Sequence, residues 1–206
     1  MPFSIWLTFA GASLMLAVAP GPDNIFVLTQ SAVHGARSGM IVVLGLLTGL
    51  VVQTFCAALG LAAVVAASPT LFWAIKAAGA AYLLYLAFMA WKHAVSGPGS
   101  GEGSSLTGWA LWRRGCIMNI TNPKVQIFFL AFFPQFVPKG TEGWDLVLQM
   151  VIQGLTFMAA TAVVFGAVAY YAGTLADKMR SPTFQLILNR SSAVIFLGLA
   201  AYTLLG

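Results

Sequence analysis

The chain has 206 residues, of which 60% are hydrophobic and 7% charged, with a formal net charge of +5. Water-soluble domains carry roughly 25% charged residues, so a soluble fold of this composition would expose large apolar patches and aggregate; the bilayer is its natural solvent. The basic residues are scattered along the connections rather than clustered, which argues against a nucleic-acid partner and fits the positive-inside pattern of membrane loops.

A hydrocarbon core of about 30 Å takes roughly 20 apolar residues of helix to cross. Apolar runs occupy 4–33, 39–67, 70–91, 113–137, 146–174 and 184–205, which predicts an all-α integral membrane protein of six transmembrane helices with no room for a sizeable soluble domain. The first run contains Ala17-Val18-Ala19, which imitates a signal-peptide cleavage site, but no Lys or Arg precedes it and the apolar stretch resumes after Asn24. It is expected to be a retained helix. The second run carries Gly35, Gly39, Gly45 and Gly49 on a small-residue edge suited to close helix packing, which allows a homodimer without requiring one. Residues 96–105 are almost all Gly and Ser and read as a flexible linker. Trp6, Trp73, Trp91, Trp109, Trp112 and Trp144 fall near span ends, as an aromatic belt would.

The first, third and fifth connections carry Arg37, Lys92, Arg113, Arg114, Lys178 and Arg180, whereas the opposite side offers Lys139 balanced by Glu142 and Asp145. The odd connections are therefore expected in the cytoplasm, with both termini extracytoplasmic, in an inner membrane. The linker divides the chain into a first three-helix repeat, 1–95, a cytoplasmic linker, 96–112, and a second three-helix repeat, 113–206. Each half opens with a proline-interrupted span and ends with a span bearing one early basic residue, Lys76 or Arg190. Repeats with an odd number of spans must insert in opposite orientations, which is the 3+3 inverted-repeat plan of secondary transporters.

Interrupted helices at matching places in two halves point to a binding site at mid-depth. Pro22 lies about 12 residues from the cytoplasmic end of the first span and Pro123 about 10 into the fourth, so at 1.5 Å per residue both breaks fall roughly 15–18 Å from one face. Proline suits a first helical position and Asn the cap before it. Two half-helices starting there would turn their positive ends to the centre, toward a substrate carboxylate. The candidate residues are Pro20, Gly21, Pro22, Asp23 and Asn24 in the first half, and Asn119, Asn122, Pro123, Lys124 and Gln126 in the second. Ionisable residues at that depth usually face a cavity or a partner. Asp23 would meet a substrate ammonium or carry a proton, and Lys124 would hold a carboxylate or pair with Asp23 in the resting state. Asn119, Asn122 and Gln126 share a face by spacing, with Lys124 directed elsewhere on an unbroken helix. Plain proline kinks, a structural Asp23–Lys124 ion pair and interhelical amide bonds are the alternatives.

No nucleophile–base pair and no HExxH helix marks an enzyme. Cys56 and Cys116 lie on different helices with no CxxC, which fits small apolar packing better than a thiol-redox carrier, and His34 and His93 have no partner at metal-ligand spacing. No cofactor or metal is expected. Export of another small solute, or a channel, is the remaining alternative to an amino-acid exporter.

Ala19-Pro-Gly-Pro-Asp-Asn24, Gly35-x-x-x-Gly39 and Lys76-Ala-Ala-Gly-Ala-Ala-Tyr-Leu-Leu-Tyr-Leu86 in the first half resemble the LysE/RhtB family of amino-acid exporters. So do Asn119-Ile-Thr-Asn-Pro-Lys124 and Phe128-Phe-Leu-Ala-Phe-Phe-Pro-Gln-Phe136 in the second, so the resemblance covers essentially the whole chain. It implies a six-helix transporter that exports amino acids or their derivatives by proton antiport. It also implies that Pro20, Gly21, Pro22, Asp23, Asn122, Pro123 and Lys124 matter for function. Two positions depart from the pattern. Ala87 stands where relatives often carry Gly, and Gln126 where an apolar or small residue is common, so a cavity-facing Gln126 would alter substrate preference.

Overall fold

The computed structural model describes residues 1–92, 106–138, 140–179 and 181–205. The Gly/Ser stretch 96–105, together with His93, Lys139 and Arg180, lies outside the described residues. The described elements are helical throughout: α1 Phe3–Val18, α2 Pro22–His34, α3 Ala36–Ala67, α4 Pro69–Lys92, α5 Gly108–Thr121, α6 Pro123–Ile127, α7 Gly143–Tyr170, α8 Ala172–Met179 and α9 Pro182–Leu205. Beyond α6 the chain continues through a π-helical turn, Phe128–Phe132, and a 3₁₀ turn, Phe133–Phe136. Residues 108–112, expected in the linker, open α5 instead, because the Thr107 hydroxyl accepts from the Ala110 amide at 3.3 Å and caps the helix there.

Four helices are long and apolar enough to cross a membrane singly, and two bent pairs bring the spans to as many as six: α1 with α2, bent by 60°, and α5 with Pro123–Phe136, bent by 48°. The outer surface carries large apolar side chains, among them Phe3, Phe88, Leu155, Val163 and Val194, each more than half exposed. Water would not tolerate such a surface, and acyl chains would. The chain is a multi-pass membrane protein.

α3 is the central element, packed most extensively against α5 and α7; α4 packs on α9, and α1 on α7. The α3–α5 contact depends on missing side chains. A Cβ on Gly45 would run into the Trp112 carbonyl and one on Gly115 into the Val42 carbonyl, so the two backbones touch only because both positions are Gly. The glycines of the second span are thus used largely within the chain. Around the tail of α6, Phe9 stands edge-on to Phe133 at 5.0 Å, Phe128 stacks on Phe132 at 4.8 Å and Phe157 lies 5.1 Å from Phe128. Trp73, Trp91, Trp109 and Trp144 are exposed, while the Trp6 and Trp112 indoles donate to Thr156 and Thr48 at 3.0 and 3.2 Å.

Candidate functional site

The first span stops at Val18 and restarts at Pro22, which takes the first helical position behind an extended Gly21. Proline there offers no N–H and needs none. The second broken span stops at Thr121 and restarts at Pro123, with Asn122 between. Asn122 caps the new helix with its own side chain, Oδ1 accepting from the Lys124 amide at 3.0 Å. The Val125 and Gln126 amides donate to the Asn122 carbonyl. The amides opening α6 are therefore satisfied locally, and the Lys124 ammonium, not free backbone N–H, is what this break offers to an anion.

The two breaks meet. The Asn122 side-chain amide donates to Asp23 Oδ2 at 2.8 Å, and Lys124 Nζ reaches back across the gap to donate to the Ala19 carbonyl at 3.0 Å. A Cβ on Gly21 would lie 3.2 Å from that Nζ, so Gly leaves room for the lysine to pass. Asn24 closes the same gap from its own side, donating to the Ala17 carbonyl at 2.9 Å. These bonds supply carbonyls that the break would otherwise leave unpaired in a dry interior. Asp23 Oδ1 has no hydrogen-bond partner.

Two cavities flank this junction. The larger, about 500 Å³, is walled by the breaks themselves (Pro20, Gly21, Pro22, Asn122, Pro123 and Lys124) and by Tyr82 and Leu86 of α4 and Gln185, Asn189 and Ser192 of α9. Its size is that of a small-molecule site. The smaller, about 20 Å³, lies on the opposite side and contains Asp23, Asn119 and Thr161; Lys124 lines both. An apolar groove of about 460 Å³ adjoins the chamber at Pro20, Ile25 and Leu188, and Asn24 lines it.

The amides of the second half do not share one face. Asn119 is buried, its carbonyl and Oδ1 accepting from Gln53 Nε2 of α3, and Asn122 turns to Asp23. Gln126 is exposed, donates to the Ile120 carbonyl at 2.7 Å and lines a separate groove with Gln53 and Cys56. The break rotates the residues after Pro123 relative to those before it, so spacing counted across it fails. For the same reason Lys124, expected to point elsewhere, lands beside Asn122. Gln185, Asn189 and Ser192 escaped the sequence reading, although their spacing sets three polar side chains on one face of α9. Tyr82 stood only within the Lys76–Leu86 motif, and Thr161 offered no signal.

The chain matches the family described as LysE type translocator over residues 14–206. It is 30% identical over 198 residues to the homoserine/homoserine lactone efflux protein of Salmonella typhimurium, covering 96% of this chain and 94% of that one. It is 28% identical to the leucine efflux protein of Enterobacter sp. (strain 638), over 96% of this chain and 93% of that one. It is also 28% identical to an uncharacterized membrane protein of Vibrio cholerae serotype O1, over 96% and 95%. No solved structure matches the chain. With a match that begins inside α1 and runs to the last residue, the chain belongs to the LysE type translocator family and is a transporter, not an enzyme.

Proposed function

We propose that the protein exports amino acids or amino-acid derivatives from the cytoplasm in exchange for protons. The observation that carries this reading is the junction of the two breaks, where a buried carboxylate and an ammonium sit beside a chamber of about 500 Å³. A zwitterion needs a donor for its carboxylate and acceptors for its ammonium. Lys124 offers the cation to its carboxylate, and the amide and hydroxyl groups of α9 offer acceptors to its ammonium. Asp23 takes the proton when the substrate leaves. The relatives named for homoserine and leucine efflux support an amino acid over another solute.

The two halves, residues 1–95 and 113–206, act as inverted repeats about this junction. Exchanging the first three spans for the last three pairs α3 with α7, pairs α4 with α9, and relates the α3–α5 packing to that of α7 with α1, all of which are contacts of the fold. The same exchange matches Pro22-Asp23 with Pro123-Lys124 in sequence, residues of opposite charge behind the proline of each break. The odd connections, richer in Lys and Arg, face the cytoplasm and both termini the other side of an inner membrane.

The test is growth. Overexpression in an export-deficient strain confers resistance to an excess of the exported amino acid, found by screening amino acids one at a time. Asp23→Asn preserves the amount of protein in the membrane and removes the resistance. Resistance undiminished in Asp23→Asn, or surviving collapse of the pH gradient, would overturn the reading.

A further inference from the structure

A hydroxyl buried in a membrane helix ordinarily donates to the carbonyl one turn back. Ser31, Thr54 and Ser192 do so at 2.7 Å, and Thr203 at 2.8 Å. Thr161 of α7 does not. It is 4% exposed, and its Oγ1 has no hydrogen-bond partner, in common with Asp23 Oδ1. Both residues line the cavity of about 20 Å³. One water needs about 10–15 Å³ and two to four polar neighbours. Asp23, Thr161 and Lys124 supply them.

The nature of the occupant follows from the wall. Among the described residues lining this cavity, Asp23 and Lys124 are the titratable ones, and α1, α3 and α7 present it with apolar side chains and the Thr161 hydroxyl. Of the other cations, Arg114 of α5 rests 4.5 Å over the ring of Phe26, a turn further along α2. An ammonium in the wall repels an alkali cation. A proton avoids that repulsion, because hydronium gives it up to Asp23 Oδ1 and leaves a neutral carboxyl and a neutral water.

The route in is marked by the same kind of atom. Ser13 of α1 and Gln149 and Gln153 of α7 carry further buried side-chain oxygens without partners. The bonds Trp6 to Thr156 and Gln153 to Met1 set α1 and α7 side by side and parallel, with Gln149 and Gln153 near the N-terminal end of α7 and Ser13 between that end of α1 and the break. Unmet buried acceptors are places for water. The substrate chamber lies on the other side of the junction, against α4 and α9.

We propose that Asp23 and Thr161 form an enclosed proton site holding one water, loaded along the α1–α7 seam and divided from the substrate chamber by Lys124. It rests on the reading of Asp23 as proton carrier. Thr161 is a positioning residue that acts through the water.

Infrared titration of the purified full-length protein tests this without any substrate. The protonated-carboxyl signal of Asp23 is isolated by difference against Asp23→Asn. Thr161→Val moves its midpoint by about one pH unit, the size expected for one hydrogen bond to a charged group, while Thr161→Ser keeps the wild-type midpoint. An unmoved midpoint in Thr161→Val, or an equal shift in Thr161→Ser, overturns the site and leaves the carrier role of Asp23 standing. No titrating Asp23 signal in the wild type overturns the carrier role itself. If Thr161→Val does not fold, Thr161→Ala is read by the same criteria.

Discussion

At the first break the chain leaves helix for three residues, Ala19–Gly21, and turns by 60°; at the second it leaves for Asn122 alone and turns by 48°. The second break caps its own new helix, one Asn accepting through its side chain and its carbonyl, while the Asn119 carbonyl before it accepts from Gln53 of α3. The first has no such cap. Its Ala19 carbonyl is satisfied from the other half of the chain by Lys124, and its Asp23 is held by Asn122. The two halves thus differ where it matters, although both place a proline at the first helical position.

This asymmetry is open to attack from the second half. The largest effect is expected from Lys124→Met, which strands the Ala19 carbonyl and leaves Asp23 without a nearby cation. Unfolding of the detergent-purified protein becomes easier by about 3 kcal/mol, the cost of an uncompensated buried charge, and the double variant Lys124→Met/Asp23→Asn recovers part of it. If Asp23→Asn alone costs as much as Lys124→Met, the dependence of the first break on the second is wrong. Asn122→Ala comes next. It removes a helix cap and the partner of a buried carboxylate, together about 2 kcal/mol in the same measurement, and transport in the growth assay falls with it. Gln126→Ala sharpens the boundary of the site. Gln126 is exposed and bonds only within its own segment, so stability changes by under about 0.5 kcal/mol and the set of amino acids tolerated in the resistance screen stays the same.

The spans were legible because crossing a bilayer imposes length and apolarity on each segment separately, and the runs at 70–91 and 184–205 fall almost on α4 and α9. The breaks were legible because proline carries its own conformational rule, and Asn122 caps α6 as its position predicts. Periodicity misled where the helix was interrupted. It grouped Gln126 with Asn119 and Asn122, and the turn at Pro123 sent the three to different surroundings. The 146–174 run divides at Tyr171, where α7 ends and the short α8 begins, and no proline announces that turn.

What the residues settled alone, then, was solvent and punctuation: which segments lie in lipid and where two of them are interrupted. Both are local properties, fixed by hydrophobicity and by the geometry of one proline ring. Only the packed structure decided that the two interruptions touch, that Lys124 reaches Ala19, that Thr161 lines the cavity beside Asp23, and that α4 and α9 wall the chamber. Those juxtapositions join residues about a hundred positions apart. They depend on how closely backbones approach at Gly45 and Gly115, a sum over many weak contacts that no single segment encodes.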